Sequence, residues 1–122
     1  MDFSLTQEQQ VMADTARRFA QQKLKPGYRS RESAGCIERT LVQEMGALGF
    51  LGAELPQAQG GLGADCVTSG LLLEEIAAGD FDVGYLNLLV SLCGQIIARY
   101  ATPETAREWL PRVIAGTALP AL

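Results

Sequence analysis

No histidine occurs anywhere in the 122 residues. Its absence removes the usual base of serine and cysteine triads and the usual nitrogen ligand of zinc hydrolases. Cysteine is scarce too: Cys36, Cys66 and Cys93 are odd in number and widely spaced, which argues against both a zinc set and a disulfide framework. They are expected to be reduced, mostly buried thiols of a cytoplasmic protein. Basic residues number 10 against 14 acidic ones, leaving a net charge of -4, so nucleic acid is not the expected partner. Met1-Asp2-Phe3-Ser4 has neither the basic flank nor the apolar run of a signal or transit peptide. The longest charge-free stretch, Val83 to Ala98, covers sixteen residues, short of the roughly twenty that a membrane span needs. Asn87, Ser91 and Gln95 interrupt it, and the expectation is no membrane span but a helix buried in the middle of a bundle.

What is present is helical periodicity. Thr6 with Gln9 makes a capping box, and Val11, Met12, Thr15, Ala16 and Phe19 follow at helical spacing until Pro26-Gly27, predicting a helix over 7–24. Tyr28 to Gly35 reads as a polar, Arg-rich connection, and Ile37, Leu41, Val42, Met45 and Leu48 predict a second helix over 37–48, stopped by Gly49. Phe50 to Pro56 is extended in character, and Gln57 to Ala64 is turn-rich. Asp65 is placed to cap a third helix, with Leu72, Leu73 and Ile76 toward the core and Gly79 at its stop. Asp82 is placed to cap a long helix over 83–100, and Thr102-Pro103-Glu104 opens another. Pro111 predicts a break, followed by a short turn ending at Gly116. No strand period, repeat or linker stands out. The fold class is therefore all-α: an up-and-down bundle of about five helices over residues 1–116, with an extended tail over 117–122.

The tail itself, Thr117-Ala-Leu-Pro-Ala-Leu122, is apolar, and charged residues stop at Arg112. It reads as lacking a helix cap or polar finish, and so as the start of a further domain.

Candidate chemistry is sparse. Gly60-Gly61-Leu62-Gly63 precedes a helix N-terminus but fits neither G-x-G-x-x-G nor a P-loop, and Asp65 puts negative charge where a phosphate would lie. It reads as a structural loop using left-handed backbone. Glu74, Glu75, Asp80 and Asp82 are carboxylates without shared direction, since adjacent helical residues diverge. A solvated face or a structural salt bridge explains them, and no catalytic residue or metal ligand emerges.

Taken in order, Leu48-Gly-Phe-Leu-Gly52, Leu55-Pro56 with Gly60-Gly61-Leu62-Gly63, Glu74-Glu75-Ile76-Ala77, Tyr100-Ala-Thr-Pro-Glu104, Trp109-Leu110-Pro111 and Gly116 resemble the N-terminal helical domain of the acyl-CoA dehydrogenases. Thr6-Gln-Glu-Gln9 is similar to that family's opening helix, so the resemblance covers essentially the whole chain. It implies an FAD-dependent enzyme of three parts, with a middle β-domain beginning near 117–122 and a C-terminal helical domain. The flavin and the carboxylate base that removes the α-proton would lie in those other parts. The resemblance also implies an acyl-CoA substrate, electron-transferring flavoprotein or another acceptor, and a homo-oligomer. Only one site carries over: Tyr85, Leu88, Leu89 and Leu92, on one face of the charge-free helix, would help wall the acyl-chain cavity, whereas their spacing alone fits a plain core stripe equally. Gly84 and Gly94 would make room either for substrate or for a neighbouring helix.

Overall fold

A computed structural model describes residues 1–122 and contains helices and turns without strands. Helix α1 (Gln7–Phe19) opens with the expected reciprocal cap: Thr6 Oγ1 accepts from the Gln9 amide at 3.2 Å, and Gln9 Oε1 accepts from the Thr6 amide at 3.0 Å. It continues as a π-helical turn over Ala20–Leu24 and a short 3-10 turn over Lys25–Gly27, so the expected run to Leu24 is helical in full.

The segment expected to be a polar connection is instead a short helix, α2 (Tyr28–Ala34), closed by Gly35 in the left-handed region at φ 66°. Its cause is tertiary. Arg31 is buried beneath it, its Nε 2.8 Å from Asp80 Oδ2, while a terminal nitrogen donates to the Leu24 carbonyl. Gly27 admits this side chain, since a Cβ there would lie 2.6 Å from the guanidinium. Helix α3 (Arg39–Ala47) follows and ends as expected at Gly49, φ 84°.

Residues 50–56 are not extended. They coil into consecutive turns that bury Phe50, Leu51, Ala53 and Leu55, because four apolar side chains over six positions cannot all face inward from a straight strand. Phe50 meets Phe19 edge to face at 5.5 Å.

Helix α4 (Cys66–Gly79) is capped by Asp65, whose carboxylate accepts from the Thr68 amide at 2.8 Å. Leu72 and Ile76 are fully buried and Leu73 half-buried. Helix α5 (Phe81–Tyr100) begins two residues earlier than the expected start, and its cap is Asp80, not Asp82. Asp80 is in an extended conformation, and its Oδ1 accepts from the Asp82 and Val83 amides at 3.0 and 3.4 Å. Asp82 instead lies in the first turn, where its charge complements the helix dipole.

Helix α6 (Pro103–Ile114) starts at Thr102 as expected and runs through Pro111 without the expected break. Arg107 and Pro111 are both exposed, so the carbonyl that loses its partner faces water, while buried Leu110 and Val113 hold the helix in register. The end of α6 is capped, contrary to expectation: Gly116 adopts φ 74°, and the Thr117 amide donates to the Arg112 carbonyl at 3.0 Å. Ala118 and Leu119 then lie partly buried against the core.

The bundle thus has six α-helices, the short α2 being the addition to the expected five. α4 lies between α1 and α5, and α6 packs on α5. Glycines permit the closest crossings. A Cβ at Gly84 would sit 2.7 Å from Ala77 Cβ of α4, and one at Gly46 would sit 2.5 Å from the Ala115 carbonyl group.

Candidate functional site

Helix α5 carries the site because of how it is packed. Val83, Gly84, Asn87, Val90, Ser91, Cys93 and Gly94 are buried. Phe81, Tyr85, Leu88, Leu92 and Ile96 are exposed, Tyr85 at 54% and Leu92 at 44%. These five recur at spacings of four, three, four and four, which places them on one stripe about 22 Å long. The helix is therefore not buried in the middle of the bundle as expected. It lies at one side of the bundle with an apolar face turned outward.

Of the sequence-derived positions, Tyr85, Leu88 and Leu92 lie together on the stripe, and Leu89 is half-buried on its flank. Gly84 and Gly94 do not open onto it. Their missing Cβ atoms make room for Ala77 of α4 and for Leu55, the latter 2.9 Å from a Cβ built at position 94.

The stripe is bordered by a polar cluster that the sequence reading did not assemble. Glu54 Oε2 accepts from Ser91 Oγ at 3.0 Å and from Gln95 Nε2 at 3.1 Å. Asn87 is buried one turn before Ser91, and its Oδ1 has no partner. The recurrence of Asn87, Ser91 and Gln95 every four residues is a legible signal of a polar seam along α5; nothing local to Glu54 announces that it meets that seam.

The other candidates have separate structural duties. Glu75 pairs with Arg17 at 2.5 Å, and Asp80 pairs with Arg31, while Glu74 and Asp82 are exposed. Hydrogen bonding to Glu75 and its charge hold the Arg17 guanidinium above its ordinary pKa. A polar hollow of about 430 Å³ lies between α2 and α5, lined by Tyr28, Arg31, Glu32, Cys36, Asp80 and Asp82 among others. Its one cation is already committed to Asp80, and the Glu32 carboxylate, by hydrogen bonding and charge, raises the Tyr28 phenol above its usual pKa. An anion finds no welcome there. Cys36 and Cys66 are exposed, against the expectation of burial, and only Cys93 is enclosed: Cys36 follows the end of α2 and Cys66 opens the first turn of α4, both positions facing outward.

The glycine loop forms no phosphate cradle. The amides of Gly61, Leu62, Gly63 and Ala64 donate to the carbonyls of Pro56, Gly52, Leu55 and Ala53 at 2.8–3.0 Å, which leaves none directed at a ligand. Gly60 and Gly63 take φ 95° and 61°, and a Cβ at Gly61 would lie 2.1 Å from the Leu55 carbonyl oxygen. The loop is structural, and these residues do not fit a flavin dinucleotide.

The chain is thus an all-helical bundle with one apolar helix face turned outward. The sequence matches the model of the acyl-CoA dehydrogenase N-terminal domain over residues 6–117, and the chain belongs to that family. It is 34% identical, over 98% of its length and 32% of the relative's, to a short-chain specific acyl-CoA dehydrogenase of Megasphaera elsdenii. Among solved structures, butyryl-CoA dehydrogenase from Megasphaera elsdenii superposes with a TM-score of 0.86 at 32% identity, covering 98% of this chain and 32% of that one. A glutaryl-CoA dehydrogenase from Mycobacterium smegmatis in complex with FADH2 does so with a TM-score of 0.89 at 33% identity, covering 94% and 30%. The chain thus spans about a third of the length of these relatives.

Helix α5 also stands out by its composition. The helix has 20 residues and a most apolar stretch of mean hydropathy 1.5, long and apolar enough to cross a membrane by length and composition. The sixteen-residue reading underestimated it, because the helix extends past Asp82 and Arg99 at its ends. Its packing against α4 and α6 is that of a helix in a folded bundle.

Proposed function

We propose that this chain is the helical N-terminal part of an FAD-dependent acyl-CoA dehydrogenase, residues 1–116 forming the domain and 117–122 leading toward a β-domain. In this reading the outward face of α5 is part of the acyl-cavity wall. Tyr85, Leu88 and Leu92 would contact the chain, with Leu89 at the margin. The single observation that supports it is the exposed apolar stripe on a helix whose other faces are packed: an acyl chain gains about 0.8 kcal/mol for each methylene taken from water against such a surface. Family membership supplies the reaction, the removal of hydrogens from the α and β carbons of an acyl thioester.

Flavin chemistry is then supplied by a cofactor held outside these residues. What this chain contributes is shape, exclusion of water and orientation of the acyl group. An acyl-CoA, an electron-transferring flavoprotein or other acceptor, and a second copy of the protein are the partners that this reading implies.

The test is a flavin absorbance spectrum of the complete protein, followed by an acyl-CoA panel with an artificial electron acceptor. Bound flavin bleached by acyl-CoA is expected. Failure to bind flavin would leave a helical interaction module as the better reading, and reduction only by carrier-protein thioesters would change the substrate class. Within an active enzyme, Leu88→Trp and Leu92→Trp are expected to shift the preferred acyl chain shorter, as each indole fills space along the wall. An unchanged chain-length profile in both would remove α5 from the cavity.

A further inference from the structure

The polar cluster beside the α5 stripe contains an acid with an unfilled valence for hydrogen bonding. Glu54 is half-buried in the turn segment between α3 and α4. Both of its side-chain donors, Ser91 and Gln95, approach one oxygen, Oε2, while Oε1 accepts nothing from the chain. No cation offsets the acid either: the five ion pairs of the chain all lie elsewhere. A half-buried carboxylate held by two neutral donors and no cation invites a reason.

Its position provides one. Ser91 and Gln95 follow Leu88 and Leu92 by one turn each, so the acid sits on the border of the apolar face at its middle. The one cation of α5, Arg99, is exposed in the last turn, about 10 Å along the axis from Leu92.

On the reading of α5 as an acyl-cavity wall, on which this inference rests, the geometry points to Glu54 as a specificity-determining residue that selects the charge of the acyl group. Thioesters of uncharged acyl chains are admitted. Thioesters whose chain ends in a second carboxylate are rejected, because that carboxylate would be drawn from water toward Glu54 with no cation between them. The Ser91 and Gln95 donors fix the rotamer of the acid, so its charge is held at the margin of the cavity and does not swing away into solvent.

The experiment uses the complete flavoprotein and compares flavin reduction by hexanoyl-CoA and glutaryl-CoA, chains of similar reach that differ in terminal charge. The wild-type kcat/KM ratio is expected to favour hexanoyl-CoA by at least about tenfold, the scale of a like-charge contact. Glu54→Gln keeps the shape and removes the charge, and is expected to bring the ratio toward one. Ser91→Ala, which keeps the charge and removes one donor, is expected to retain most of the discrimination; a purely structural role for the cluster would make the two variants behave alike. Equal use of both thioesters by the wild type, or a ratio unmoved by Glu54→Gln, would overturn the inference while leaving the dehydrogenase reading intact. Absence of flavin reduction by every thioester would overturn that reading, and the inference with it.

Discussion

Helix α5 is gripped by two carboxylates, and they are opposites in their surroundings. At its start Asp80 is 3% exposed and uses both oxygens, one on the first amides of the helix and one on Arg31, itself 7% exposed. At its middle Glu54 is half-open, cation-free and uses one oxygen. The first group is closed on itself, and its removal should act on folding; the second has capacity to spare, and its removal should act on what binds. Burial of a charge alone does not mark a functional residue, because complete pairing turns it into a fastening.

The sharpest way to break this contrast is at Asp80. Asp80→Ala leaves the buried Arg31 guanidinium with only the Leu24 carbonyl and the Glu38 carboxylate at 4.0 Å, and α5 without its cap, an expected loss of about 3–5 kcal/mol in chemical denaturation. Asp80→Asn, which retains an acceptor for the Asp82 and Val83 amides, should lose less. A drop at Asp80→Ala no larger than that of Glu54→Gln, which stands at a half-exposed position, would erase the distinction between the two ends.

The next effect belongs to the loop that carries Glu54 toward α5. Gly61→Ala would force a methyl group to within 2.1 Å of the Leu55 carbonyl oxygen, and the required backbone shift is expected to destabilise the chain by about 1–3 kcal/mol. Because Leu55 also fills the space left by Gly94, the shift should reach α5. An unchanged midpoint would mean that the turns over 50–56 are softer than their buried side chains imply.

These regions also show which information is local. Thr6 with Gln9, Asp65, and Thr102 with Pro103 were readable because a cap needs only residues within one turn of itself. Tyr85, Leu88 and Leu92 shared a face for the same reason, spacing on one helix. Which way that face points was not readable, since an apolar stripe looks alike whether it meets a neighbouring helix or water. Asp80 and Asp82 are both close enough to cap α5 locally, and what distinguishes Asp80 is its buried partner Arg31, 49 residues away in the chain. The helix over Tyr28–Ala34, where the sequence alone suggests a connection, depends on the same pair. Pro111 misled for the complementary reason: a proline forbids one hydrogen bond, and whether water replaces it depends on exposure that only the packed bundle defines. Glu54 needed the whole fold, for its two donors lie 37 and 41 residues on.

The smallest effect probes a third carboxylate, exposed and local, which separates capping from burial. Hydrogen bonds from the Thr68 side chain and backbone hold the Asp65 carboxyl below its ordinary value of 3.8. A carboxylate whose folded pKa is depressed adds stability that is fully present above the unfolded value and is lost as pH falls through the lower, folded one. The start of α4 should therefore loosen only in strong acid, read as faster amide exchange at Thr68 below pH 3.8. Asp65→Asn keeps an oxygen acceptor that does not titrate in this range, so its amide protection should be flat where the wild type declines. If both proteins lost protection together, the acid response of α4 would come from elsewhere, with the Arg17–Glu75 contact as the nearest source. In that case a cap at the surface would be governed by charge across the α1–α4 interface and not by its own hydrogen bond.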